Sequence, residues 1–213
     1  MQKSASLGHE GAILVLQQAA TDARAVPVSV SGPAPARPIA FERVYDDHVD
    51  FVWRSARRLG VDDGAADDVV QQVFLVVHRR LEAFEGRSSM KTWLFSILIH
   101  VVRDHRRSVK RKSPYLTSEA VDPELLVDPS LDPEEALERA QASRFIDHVL
   151  DMLESEKRIV FVMAELEEMS AAEIGQATGL DAPAVYSRLR AARNDFERAA
   201  ASLRKRLDSG RAP

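Results

Sequence analysis

Arg103, Arg106, Arg107, Lys110, Arg111 and Lys112 crowd six fixed cations into one short stretch. The wider segment 79–112 holds ten Lys or Arg and three acidic residues. Cations grouped in this way neutralise a phosphate backbone and gain from the counterions it releases. A second set, Tyr186, Ser187, Arg188, Arg190 and Arg193, lies near the C-terminus. Side chains of these types, carried on a helix in a major groove, can reach base edges and phosphates. Composition alone does not divide Arg188 and Arg190 between those two tasks. The plain alternative for both sets is a solvated, charged helix face.

Nothing comparable supports catalysis. His9, His48, His78, His100, His105 and His148 are scattered, with no spacing that suggests a metal site or a triad. There is no Gly-rich phosphate loop. Cysteine is absent, which removes disulfides, thiolate metal sites and thiol nucleophiles. The expectation is a binding protein with no catalytic residue, no metal and no cofactor.

The whole-chain charge of -4 conceals an alternation. The basic segment gives way to residues 113–138, with eight acidic residues, no Lys or Arg, and Pro114, Pro123, Pro129 and Pro133. Such a composition favours a flexible or extended connector. The 213 residues suffice for one large domain or two small ones. A hydrophobic share of 45% and a charged share of 29% fit a folded, soluble chain. No apolar run nears the roughly 20 residues that span a bilayer. The run at 12–16 is short and followed by glutamines, unlike a secretory signal. No membrane insertion and a cytoplasmic location are expected.

The elements that position the cations are helical. A weak helix is expected around Ile13 to Ala20, then a Pro-rich linker over 22–38. Phe41, Val44, Tyr45, His48, Val52, Ala56 and Leu59 follow helical spacing, and Gly60 ends that helix. Asp62-Asp63-Gly64 extends the break. A second helix is predicted over 65–84, with Val69, Val70, Val73, Phe74, Val77, Leu81 and Phe84 on its apolar face. A turn follows, and Ser88 or Ser89 caps a third helix over 90–109. Trp93, Leu94, Ile97, Leu98, Val101 and Val102 form its buried stripe. Trp93 is either a core residue or a neighbour of unstacked bases.

A second helical domain begins near Leu137. One helix carries Phe145, Ile146, Val149, Leu150 and Leu153, and the next runs from Lys157 to Leu166. Ser170-Ala171-Ala172-Glu173 matches a capping box that opens a short helix to Thr178. Gly179-Leu180-Asp181 turns the chain into a long helix over 182–206. This is a helix-turn-helix pattern, with Ile174, Ala177, Leu180, Val185 and Leu189 facing its core. The fold class is all-α: two small helical domains joined by a flexible acidic linker. The divisions are an extension 1–40, a domain 41–112, a linker 113–138, a domain 139–207 and a tail 208–213.

These residues also resemble a known family. Ala66-Asp67-Asp68-Val69-Val70-Gln71-Gln72-Val73-Phe74, then Leu81, Phe84, Gly86, Ser88-Ser89, Thr92-Trp93-Leu94-Phe95, Ile97 and Asp104-His105-Arg106-Arg107, are similar to region 2 of the bacterial RNA polymerase sigma-70 family, in its extracytoplasmic-function (ECF) group. Leu153, Glu156, Arg158, Val160-Phe161, Glu167, Ser170 to Gly175, Val185, Ser187-Arg188-Leu189 and Ala192-Arg193 resemble region 4. The resemblance implies a promoter-specificity subunit that leaves nucleotidyl transfer to the polymerase. Asp67, Asp68, Gln71 and Phe74 would then hold core RNA polymerase, with Phe74 also packing.

The turn 86–90, including Ser88 and Ser89, would help shape a pocket for −10 DNA. Arg103, Arg106, Arg107, Lys110, Arg111 and Lys112 would contact its backbone. Tyr186, Ser187, Arg188, Arg190 and Arg193 would bind −35 duplex. The implied partners are core RNA polymerase, promoter DNA and an anti-sigma factor. Four departures stand out: Pro183-Ala184 where the family usually has Gly-Thr, Tyr186 for lysine, Ala191 for arginine and His100 for asparagine. Three rival readings are a two-domain helix-turn-helix regulator that works without polymerase, an enzyme, and a purely structural interaction protein.

Overall fold

Apolar residues at helical spacing bury one face of each helix, and the computed structural model shows how those faces meet. It describes residues 39–112 and 133–209. The weak helix at 13–20, the Pro-rich linker, most of the acidic connector and the end of the tail lie outside the described residues. Among the described residues there are helices and turns but no strand.

Helix α1, Phe41–Arg58, stops where Gly60 takes a φ of 86°. That left-handed conformation suits glycine, which has no Cβ to clash. Helix α2 spans Asp63–Arg80, with Asp62 extended before it. Asp63 and Gly64 therefore belong to the helix rather than to the break expected there. Asp63 is an acidic group where the helix dipole favours one, and the space beside Gly64 is open. The last part of the predicted second helix tightens into a 3-10 turn, Leu81–Ala83, and Phe84 is extended.

Helix α3, Met90–Lys112, runs slightly beyond the predicted end. Ser89 caps it: its Oγ accepts the Thr92 amide at 3.1 Å, while the Ser88 hydroxyl only reaches the Ser89 carbonyl. Val44, Phe51, Val52 and Ala56 of α1, Val69, Val73 and Val77 of α2, and Leu94, Phe95, Leu98 and Val102 of α3 are buried together. Val101 is only half-buried at the edge of that stripe. Phe51 and Phe95 meet with ring centres 6.1 Å apart. Trp93 leans on Phe84 at 4.9 Å, so it serves the packing of the turn.

Helix α4, Pro133–Asp151, begins inside the stretch read as connector. Proline is well tolerated in a first helical turn, where its missing N–H has no helical partner to lose. Helix α5, Ser155–Phe161, starts two residues before the predicted Lys157. It widens into a π-helical turn, Val162–Leu166, in which the Glu167 amide donates to the Val162 carbonyl at 3.0 Å. Helix α6, Ala171–Thr178, has the predicted capping box and ends at Gly179 with φ 76°. Helix α7, Ala182–Ser209, is capped by Asp181, whose Oδ1 accepts the Ala184 amide at 2.9 Å. Pro183 sits in that first turn without harm.

Val149, Leu150, Ile159, Val160, Met163, Ile174, Val185, Leu189, Ala192 and Phe196 are the buried residues of α4–α7, continuous with the apolar residues of α1–α3. Phe161 and Phe196 stack at 4.5 Å. Burying a side chain such as Leu98 or Leu150 is worth enough that truncation to alanine costs about 2–5 kcal/mol. The helices thus form two domains, α1–α3 and α4–α7, and α3 of the first packs directly against α6 of the second.

Candidate nucleic-acid interface

The angular step of α7 sorts its candidate residues. Tyr186, Arg190 and Arg193 are spaced i, i+4, i+7, so they share one face. All three are exposed, Tyr186 at 64%. Ser187 is exposed beside them. Arg188 points elsewhere. It is half-buried, and its guanidinium lies 3.5 Å from Glu156 Oε2. Arg193 is paired as well, donating from Nε to Glu165 Oε1 at 2.8 Å.

The candidates on α3 divide in the same way. Arg103 makes a two-pronged contact with Glu156: Nε to Oε1 at 3.2 Å and NH2 to Oε2 at 2.6 Å. Arg106 donates to the Leu59 carbonyl and the Ser155 hydroxyl. Arg107 and Arg111 are exposed; Arg107 pairs with its helix neighbour Asp104 at 3.2 Å, and Arg111 donates to the Arg107 carbonyl. The backbone of Lys110 and Lys112 continues the same helix. Ser89 has its hydroxyl committed to capping α3 and to Glu173 at 3.5 Å. The structure therefore brings Arg103, Arg188 and Ser89 to the seam between the domains and leaves Tyr186, Ser187, Arg190, Arg107 and Arg111 facing solvent.

Several groups at this seam have no role in the sequence reading. Arg158 is 4% exposed and joins Asp151 at 2.6 Å to the carbonyls of Arg57 and Arg58 at the end of α1. Burial disfavours its charged form and pulls its pKa down, against the pull of Asp151. Glu167 accepts from Arg58 at 2.8 Å and from the Ser55 hydroxyl at 3.3 Å. Burial pushes its carboxyl up, and Arg58 opposes the shift. Thr92, buried, donates to Glu173 Oε1 at 3.2 Å. Glu156, Arg158 and Glu167 entered only as positions matching region 4; no local pattern marks an ion pair across so many intervening residues.

The other candidate surface lies on α1 and α2. Phe41, Tyr45, Val49, Trp53, Phe74 and Leu75 line an open groove. Asp67, Asp68 and Gln71 are exposed along it, and Phe74 is buried beneath, 4.7 Å from the Tyr45 ring. Trp53 Nε1 donates to Asp67 Oδ1 at 3.1 Å. Leu75 remains 52% exposed. An apolar floor with acidic and amide groups on its rim suits a helical protein partner. Among the described residues no cluster of His, Asp or Glu could hold a metal, and no helix is long and apolar enough to cross a membrane.

Residues 44–112 match the family model for Sigma-70 region 2, and residues 145–195 match that for Sigma-70, region 4. The ECF RNA polymerase sigma factor SigL of Mycobacterium tuberculosis is 30% identical over 162 residues, covering 75% of this chain and 88% of that protein. The RNA polymerase sigma factor NccH of Alcaligenes xylosoxydans is 29% identical over 155 residues, covering 72% of this chain and 83% of that protein. In fold, the chain is similar to the sigma factor RpoE of Bartonella quintana, solved in complex with the anti-sigma factor NepR. The TM-score is 0.61 at 22% identity, covering 75% of this chain and 95% of that one. With both halves matched in order and most of its length aligned to these relatives, the chain belongs to the ECF group of the sigma-70 family.

Proposed function

We propose that this protein is a promoter-specificity subunit of RNA polymerase. The observation that carries the reading is the presence, in one chain, of the rimmed groove over α1 and α2 and a capped helix-turn-helix in α6 and α7. A duplex-binding regulator that works alone needs the second but not the first. Asp67, Asp68 and Gln71 present polar contacts to core polymerase, while Phe74 supports the groove from below. Residues 41–112 and 139–207 act as the two working domains, joined by 113–138.

On the first domain, Ser88, Ser89, Arg103, Arg106, Arg107, Lys110, Arg111 and Lys112 serve −10 DNA. On the second, Tyr186, Ser187, Arg190 and Arg193 form the outward face that meets −35 duplex, with Arg188 at its inner edge. A flipped or melted base is read by stacking and edge contacts that a buried base does not offer. The protein positions polymerase and leaves the chemistry to it, so it needs no cofactor. An anti-sigma partner and a cytoplasmic location go with this role.

Core polymerase capture, followed by sequencing of transcripts started on a random promoter library, tests the reading. Charge removal at Arg188 is expected to reduce −35-dependent output, and removal at Arg106 and Arg107 to impair −10 engagement as well. Intact duplex binding with neither polymerase capture nor promoter-specific transcripts would favour the lone regulator instead.

A further inference from the structure

Carboxylates of the second domain occupy several of the groups assigned to nucleic acid, some across the seam and some within that domain. Glu156 holds Arg103 with both of its oxygens and lies 3.5 Å from Arg188. Within the second domain, Glu165 holds Arg193 at 2.6 Å. Glu173 takes the Thr92 hydroxyl beside the α3 cap and reaches Ser89. Glu156 is the centre of the set, because it touches one assigned arginine from each domain.

A carboxylate gripped in two prongs by a guanidinium takes the place that a phosphate takes in the same fork. We propose that Glu156 is an internal stand-in for phosphate, keeping Arg103 and Arg188 out of use while the two domains are packed together. This rests on the proposed assignment of those arginines to DNA. The strength of such a guard suits the task. Both arginines and Glu156 are partly exposed, and water and salt screen pairs of this kind. A nucleic acid presented in the right place can displace Glu156; stray phosphate contacts gain less from doing so.

The topology also sets an order of release. Glu156 and Arg188 belong to the same domain, whereas Arg103 belongs to the other. Separating the domains frees Arg103 at once. Arg188 stays guarded until a phosphate competes for it directly. Arg106 is released only in part, since it loses Ser155 across the seam but keeps the Leu59 carbonyl of its own domain.

The test uses the full chain without polymerase and a fluorescein-labelled duplex of mixed sequence, read by anisotropy across a salt series. Glu156→Gln keeps the side-chain shape and removes the charge. It is expected to tighten duplex binding about three- to tenfold at low salt. The slope of log affinity against log salt is expected to steepen by about one to two, as two more cations meet phosphates. The Arg103→Ala/Arg188→Ala background should abolish both changes.

Unchanged affinity and slope in E156Q would overturn the proposal. So would a gain of equal size in the double-alanine background, because loss of any negative charge would then account for it. Core-polymerase capture is measured beside each variant. Capture without the E156Q gain rejects the guard alone; the gain without capture rejects the sigma reading and leaves Glu156 as a guard of duplex binding.

Discussion

Thr92 gives its hydroxyl proton to Glu173 across the seam, at 3.2 Å, while the other Glu173 oxygen closes the capping box of α6 on the Ser170 amide at 3.0 Å. One carboxylate thus opens a helix in the second domain and holds the start of a helix in the first. Thr92 is 1% exposed, so its hydroxyl depends on Glu173 and Ser89. Thr92→Val keeps the volume and removes both bonds. It is expected to cost about 0.5–1.5 kcal/mol, read as a lower urea midpoint with an unchanged m value.

The acid limb of stability should depend on the same carboxylate. The Ser170 amide, followed by the Ser170 hydroxyl, holds the Glu173 carboxyl below its ordinary 4.5. The unfolded chain therefore binds the proton more readily than the folded one. The stabilisation is complete above pH 4.5 and is lost as the pH falls through the lowered folded value. Burial moves Glu167 the other way, so its contribution grows as the pH falls towards 4.5. Stability measured against pH should be flatter below pH 4.5 in Glu173→Gln than in the parent chain. An unaltered acid limb would rule out this assignment.

Gly175 lies inside α6, where replacing glycine by alanine usually stabilises a helix by about 0.8–1 kcal/mol. Here a Cβ would come within 2.8 Å of the Leu180 carbonyl oxygen, which is backbone in the tight turn. The turn must shift to admit it. Gly175→Ala is expected to reverse the usual sign and cost about 1–3 kcal/mol. Thermal melts give the cost, and weaker duplex binding would show that the angle between α6 and α7 has changed.

Gly60 makes a comparable point at the seam. A Cβ there would meet the Arg158 guanidinium at 2.7 Å and that of Arg106 at 2.9 Å, on backbone at φ 86°. Long side chains can retreat, but backbone in this region favours glycine. Gly60→Ala is expected to cost about 1–3 kcal/mol and to loosen the seam. Hydrogen exchange at the amides of Arg158 and Leu59 should quicken more than at the core of α2.

What the sequence made legible was local. Ser170 and Glu173 lie three positions apart, and Gly179 follows one helix later, so the bounds of α6 could be read from the chain. The helical faces of α1 and α3 could be read for the same reason, as each rests on repeated apolar spacing. Asp63 was harder to place, because a glycine beside two aspartates suits a turn as well as a first helical turn. Arg103 and Arg106 were legible as cations but not as partners of Glu156, Ser155 and Leu59. Those contacts join residues 47–53 positions apart: the packing of α3 on the end of α1 brings Leu59 to Arg106, and the packing of the two domains brings Glu156 and Ser155. The inward aim of Arg188 is a matter of helix phase, which a run of five polar residues within eight positions does not display.

The π-helical turn at Val162–Leu166 carries a further consequence. An i+5 loop holds one residue more than the α-helical repeat around it. Each α-helical residue advances the chain by about 100°. The wide turn absorbs that extra residue, so Glu167 stays about one turn on from Val162 instead of being carried a further step round. Were the same residues wound as a plain α-helix, Glu167 would be swung away from Arg58 by about that 100° step. At this point the width of a single turn works as an angular setting for one contact of the seam.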